Sequence, residues 1–185
     1  MHSAKEPMGD ALSYRDRLPL SWTPLSAPPE GLEIERLAES NLRLLASVAL
    51  LAEHSPSKDE PTAADLELQR IHHKLNLLLE LLGSFLLQQL PRPPAVSLRL
   101  SWRGLAWAGG GDAEVGSAGM IEIYLSPVLP QPLRLPAHIV ACNAGETVAE
   151  FDPMPEFCQA ALERHVFQQH RREVAETRQP PKHGV

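Results

Sequence analysis

Between residues 68 and 89 apolar side chains return in alternating steps of three and four: Leu68, Ile71, Leu75, Leu78, Leu82 and Phe85. These are the a and d positions of three consecutive heptads, a spacing that lays one apolar seam along a helix supercoiled against others. Positions e (His72, Leu79, Leu86) and g (Lys74, Leu81, Gln88) widen the seam on both flanks. A face that wide buries more than a two-helix contact covers. The first heptad has Leu at a and Ile at d, a combination that favours four strands, so a parallel homotetramer is expected over a dimer. A dimer stays open if an earlier helix of the same chain folds back over the extra arc. Gly83, at b, costs up to about 1 kcal/mol in the helix and leaves room for a close crossing.

A first helix is predicted over 32–53, with a heptad of Ile34, Leu37, Asn41, Leu44, Val48 and Leu51. Asn41 at a core position either fixes register and strand number or sits at the edge of a wider packed face. The linker HSPSKDEP ends this helix, because Pro56 and Pro61 cannot continue it. Thr62 and Asp65 form a capping box for the second helix, which runs to about residue 90 and stops before PRPP.

Elsewhere the period is two. Residues 14–25 alternate through Leu18, Leu20 and Trp22, with Pro19 and Pro24 confining that strand to an edge or an irregular pairing. Val96, Leu98, Leu100 and Trp102 share a face of a strand that continues through GLAW, and GGGD at 109–112 is a turn. MIEIYL, LRLPAHIVAC and ETVAEFD supply further strands. Five or six short strands suggest a small antiparallel barrel or sandwich. A last helix over 155–176 lines up Cys158, Ala161, Leu162, His165 and Val166. The fold class is α+β, and residues 1–13 are read as frayed.

Composition narrows the function. The 18 prolines gather in connectors, and a net charge of −6 argues against a nucleic-acid or anionic-membrane partner. No run of about 18 apolar residues exists to insert into a membrane. Cys142 and Cys158 form no CxxC pair, so both read as small buried hydrophobes of a cytoplasmic protein. The adjacent His72 and His73 point about 100° apart and cannot share a metal. His165 and His170 are five apart, and His165 reads as a core-edge histidine. No G-x-S-x-G elbow or phosphate loop is present, so the chain is read as a non-enzyme without cofactor or metal.

Three stretches then carry a family resemblance: LSWRGLAW at 100–107, the run MIEIYLSPVLPQPLRLPAHIVAC, and EFDPMPEFCQAALERHVFQQHRRE. In order and spacing they resemble the PilZ domains, receptors for the bacterial second messenger cyclic di-GMP. YRDRLPLSW at the N-terminal end is similar to atypical PilZ proteins of xanthomonads. The resemblance implies a small PilZ-type barrel with a C-terminal helix. Residues 14–30 then form its first strand and linker, 31–91 an inserted helix pair in a coiled coil, and 92–178 the remainder.

The family grips its dinucleotide with an R-x-x-x-R arm and a D/N-x-S-x-x-G turn, guanidinium forks holding phosphate and stacking on guanine. By resemblance the turn's Ser is Ser101 and its Gly is Gly104, while Arg99 stands at the acidic or amide position and reverses its charge. In the arm, Arg15 is followed four residues later by Pro19 and Arg17 by Ser21, so neither spacing supplies two arginines. The resemblance thus implies a degenerate site around Arg15, Arg17, Arg99, Ser101 and Gly104, with weak or absent cyclic di-GMP binding. It also implies a regulatory adaptor of motility, biofilm or virulence with an unknown signalling partner. Two rivals stay open: a working receptor using arginines such as Arg99 and Arg103, and an adaptor whose helices bind a different coiled-coil protein.

Overall fold

The alternating segments close on themselves. In the computed structural model, which describes residues 11–52, 62–89, 92–109, 113–143 and 145–178, six antiparallel strands form a barrel in the order β1-β2-β3-β6-β5-β4. They are β1 (Ser13–Pro24), β2 (Ala95–Ser101), β3 (Gly104–Ala108), β4 (Ala118–Ile123), β5 (Leu133–Asn143) and β6 (Glu146–Phe151). Among the described residues three helices accompany the barrel: α1 (Leu32–Ala52), α2 (Ala63–Gln89) and α3 (Glu156–Arg178). Inward residues at period two, among them Leu98, Leu100, Leu105, Ile121, Ile123, Leu133, Leu135 and Ile139, fill the interior, as closure of a six-stranded barrel requires. Residues 1–10 of the stretch expected as frayed, the 54–61 linker and most of the GGGD turn lie outside the described residues, and Ser13, expected to be frayed, begins β1.

Closure decides between the two expectations for β1, an edge or an irregular pairing, in favour of the second. Residues 13–19 pair with β2 and residues 20–24 pair with β4, so β1 joins the two sides of the seam. Pro19 stands where the partner changes. Its missing N–H therefore costs no ladder bond, and its carbonyl accepts from the Tyr124 N–H at 3.1 Å. One correction concerns 96–108, which is two strands. The chain reverses at Trp102 and Arg103 and returns with Leu105 opposite Leu100.

The two long helices have different neighbours. The α1 helix packs on α3 and β5, and its Leu44, Leu45 and Val48 join the barrel core beside Leu162 and Val166 of α3. Asn41 is buried and reads backbone: its Nδ2 donates to the Arg134 carbonyl at 2.7 Å, and its Oδ1 accepts from the Arg134 N–H at 3.0 Å. Neither role weighed for Asn41 is the one it plays, since it pins α1 to β5. The heptad also runs out on α1, because Leu51 is exposed. The buried face follows the 3.6-residue period of a helix lying on a globular core. Within 31–91, α1 shares the barrel's core, whereas no described residue of α2 belongs to that core.

Of the two cysteines, Cys158 is buried as expected, whereas Cys142 is exposed near the end of β5, its thiol donating to the Ala113 carbonyl. Among the described residues no helix is long and apolar enough to cross a membrane, and no group of three His, Cys, Asp or Glu could hold a metal.

Candidate functional site

The residues marked for a dinucleotide divide into two sets. Ser101 and Gly104 build the β2–β3 turn. The buried Ser101 hydroxyl accepts from the N–H groups of Arg103 and Gly104 at 3.2 and 3.1 Å, and donates to the Gly104 carbonyl. A Cβ at Gly104 would collide with the Ala149 carbonyl of β6, so only glycine fits that approach. Both residues are satisfied by the turn itself and hold it shut.

Arg15 and Arg99 form the other set, and the fold brings them together. They face each other directly across β1 and β2 on the outside of the barrel. Like charges in that relation destabilise a sheet unless an anion or acidic side chain relieves them. The pair separates two shallow grooves of about 370 and 400 Å3. The first is walled by His170, Glu173, Val174 and Thr177 of α3. The second runs over Ala106 and Ala108 to Gly145 and Glu146. His170 is oriented by its Nδ1, 2.9 Å from the Ser13 carbonyl. Arg17 lies two pairs further along, opposite Ser97, and lines neither groove. Arg103 stacks over Trp102 at the turn.

Two opposed guanidinium forks can grip one phosphate bidentately. The same grooves carry carboxylates that oppose a second. Glu173 already accepts from the Arg15 backbone N–H at 3.4 Å, and Glu146 stands at the far end. The α3 wall was missed in the sequence, although a signal existed. Residues 170, 173, 174 and 177 continue the stripe of 158, 162 and 166, yet their polarity reads as a solvated face.

Behind this surface Tyr14 ties β1 to α3. Burial lifts its phenol well above the usual range, and burial together with the Arg172 charge lowers His165 to about 4. The imidazole is therefore neutral, and its Nε2 shares a hydrogen bond with the Tyr14 hydroxyl across 3.2 Å.

The second candidate surface is α2. Its N-terminus has the expected reciprocal box: Asp65 accepts from the Thr62 N–H at 3.0 Å, and the Thr62 hydroxyl accepts from the Asp65 N–H at 3.2 Å. All six a and d residues are between 51 and 62% exposed. The side chains of Leu86 and Gln88 on the flanks lie outside the described residues. Opposite the seam, Gly83 is buried against the β4–β5 loop, where a Cβ would stand 3.0 Å from the Val128 backbone. The close crossing is thus with this loop. Arg92 fixes the exit of α2, donating to the carbonyls of Ser126 and Leu129 at 3.2 and 2.6 Å and covering the Tyr124 ring.

The comparisons with known proteins accord with this architecture. A family model described as an atypical PilZ domain, cyclic di-GMP receptor, matches residues 42–179. No curated protein matches. Among solved structures the chain is similar to a Xanthomonas campestris protein, reported as a pathogenic, tetrameric PilZ domain self-assembled via an unusual helical bundle. The two share 28% identity and a TM-score of 0.67, over 89% of this chain and 91% of the other. A closed six-stranded barrel with a C-terminal helix, and a family match over most of its length, make this chain a member of the atypical PilZ family of cyclic di-GMP receptors.

Proposed function

We propose that this protein is a non-enzymatic adaptor of cyclic di-GMP signalling that assembles four copies through α2 and binds the dinucleotide weakly or not at all. The observation that carries the reading is the α2 seam: six heptad residues, each more than half exposed, on one helix. An apolar stripe of that length in water calls for a partner. A tetramer through a helical bundle in a protein of the same family supplies the precedent. The Leu-at-a, Ile-at-d opening heptad favours four strands. The protein acts in the cytoplasm through protein contacts, in control of motility, biofilm or virulence.

Weak binding follows from what the outer face of β1 and β2 offers. Two opposed arginines are present in place of an arm and an acidic turn, and Glu173 and Glu146 share their grooves. Each missing bidentate contact costs about 1.5–3 kcal/mol, roughly tenfold to a hundredfold in affinity. A dissociation constant on the order of tens of micromolar or weaker is expected. The direct opposition of Arg15 and Arg99 favours one second reading, a working receptor built on these two forks. Isothermal titration with cyclic di-GMP decides between them, since a submicromolar constant at physiological salt establishes the receptor. Light scattering tests the assembly: four times the chain mass of 20.4 kDa is expected. A single-chain mass unchanged by dilution removes the tetramer.

A further inference from the structure

The α1–α3 pair covers one side of the barrel, and its outer surface is neither flat nor neutral. Between the helices runs an apolar groove, with a space of about 330 Å3 at one end and a smaller one of about 90 Å3 at the other. Ala49 and Gln168 line both, which makes the groove continuous. Its floor is Ala46, Ala49 and Ala52 of α1, with Leu42 at one end and Phe167 on the α3 side. Leu42 and Phe167 are exposed. From Leu42 to Ala52 is ten helical steps, about 15 Å, the length of three turns of a third helix.

The charge around this groove runs against that of the molecule. The chain carries −6, yet the charged groups that line the groove are the arginines 164, 171 and 172, with no carboxylate among the lining residues. Arg172 is committed, donating to the Ala52 carbonyl at the end of α1. Arg171 rests over the Phe167 ring. No hydrogen bond or ion pair engages the guanidinium of Arg164 or Arg171 among the described residues. These two stand seven residues apart, about 10 Å along the groove, the span of two helical turns.

We propose that the α1–α3 groove docks an acidic amphipathic helix of a partner protein, its apolar face on the alanine floor and carboxylates about seven residues apart facing Arg164 and Arg171. Helix-in-groove recognition uses such i, i+3, i+4 and i+7 anchors, and guanidinium forks suit carboxylates. A second copy of this chain fits less well. Its exposed helix α2 carries Asp65, Glu67, Arg70, Lys74 and Glu80, close to charge balance, and its apolar face is committed to the seam. The proposal rests on the adaptor reading, for which it supplies the class of partner, but it needs neither the tetramer nor cyclic di-GMP.

The test is fluorescence anisotropy of the full chain with two designed helices of about four turns, leucines on one face flanked by glutamates or by lysines. The glutamate peptide should bind with a constant on the order of 10 μM and the lysine peptide at least tenfold more weakly. Arg164→Glu with Arg171→Glu should invert that preference, releasing the glutamate peptide and admitting the lysine peptide. Ala49→Trp, which fills the floor, should weaken the glutamate peptide about tenfold. A glutamate peptide that fails to bind, or an affinity the double variant leaves unmoved, overturns the groove as a docking site. Light scattering on the same samples keeps the two readings apart. Charge-dependent binding to a single-chain species supports the groove while removing the tetramer, and a tetramer that ignores the peptide does the reverse.

Discussion

The α1 and α2 helices are neighbours in sequence and similar in pattern, yet they resolve the same problem in opposite ways. Each carries leucines at heptad spacing. On α1 the stripe lies against the barrel, with Leu44, Leu45 and Val48 in the core and Asn41 spending both ends of its amide on the Arg134 backbone. On α2 the stripe faces away from its own chain, and the helix touches the body through Gly83 on the opposite side. Apolar periodicity therefore tells which face of a helix must be covered. It does not say whether the cover lies in the same chain.

The sharpest way to break the comparison is to remove the helices in turn. Deleting 31–90 takes Leu44, Leu45 and Val48 from the core, each worth about 2–5 kcal/mol as a truncation, a sum comparable to a whole domain's stability. That chain should lose its dispersed amide spectrum. Deleting 62–89 alone, closed with a short linker, should leave a folded monomer. If both deletions fold equally well, α1 is not part of the core.

Leu75→Asp with Leu82→Asp attacks α2 without touching the barrel. Carboxylates in two successive layers of a buried seam should bring the mass from four chains to one by light scattering, with thermal unfolding of the barrel little changed. A variant that stays at four chains would place the contact elsewhere.

Next in size is a pH effect confined to the barrel side. His165 is held at about 4 by burial, against an ordinary value of 6.5. As pH falls below 6.5 the unfolded chain takes up a proton that the folded one refuses, so stability is full above that point and drains away down to about pH 4. The loss should be about 3 kcal/mol, read as a fall in urea midpoint, and His165→Gln should flatten that part of the profile. An unchanged midpoint between pH 7 and 5 would contradict the neutral imidazole. The smallest effect belongs to the α1 anchor. Asn41→Ala leaves the Arg134 N–H and carbonyl unpaired and should cost about 2 kcal/mol in urea unfolding, with the oligomer mass intact. A change in mass instead would restore Asn41 to a coiled-coil role.

Much of this was legible beforehand because it depends on local chemistry. Period-two alternation located most of the strands, the Thr62–Asp65 box located the start of α2, and the stripe ending at Val166 located the buried side of α3. Each of these is set by residues a few positions apart. The family resemblance carried by LSWRGLAW likewise placed Ser101 and Gly104 in a turn, where the alternation alone read one continuous strand. Within the candidate site, Arg15 and Arg99 were named as residues but not as a pair.

Their pairing required register. Arg15 and Arg99 are 84 positions apart and meet because β1 lies antiparallel to β2 with Tyr14 opposite Leu100. Tertiary closure also decided that Pro19 sits at a change of partner instead of an edge. The same holds for Asn41, whose amide matches a strand backbone that no helical pattern could reveal, and for Glu173 and His170, which become walls of a groove once α3 docks on β1. The chain's own residues fixed which surfaces must leave water, since burial energy is proportional to apolar area wherever it is covered. What covers them was settled by long-range packing, whose partners lie far off in sequence and leave no period to read.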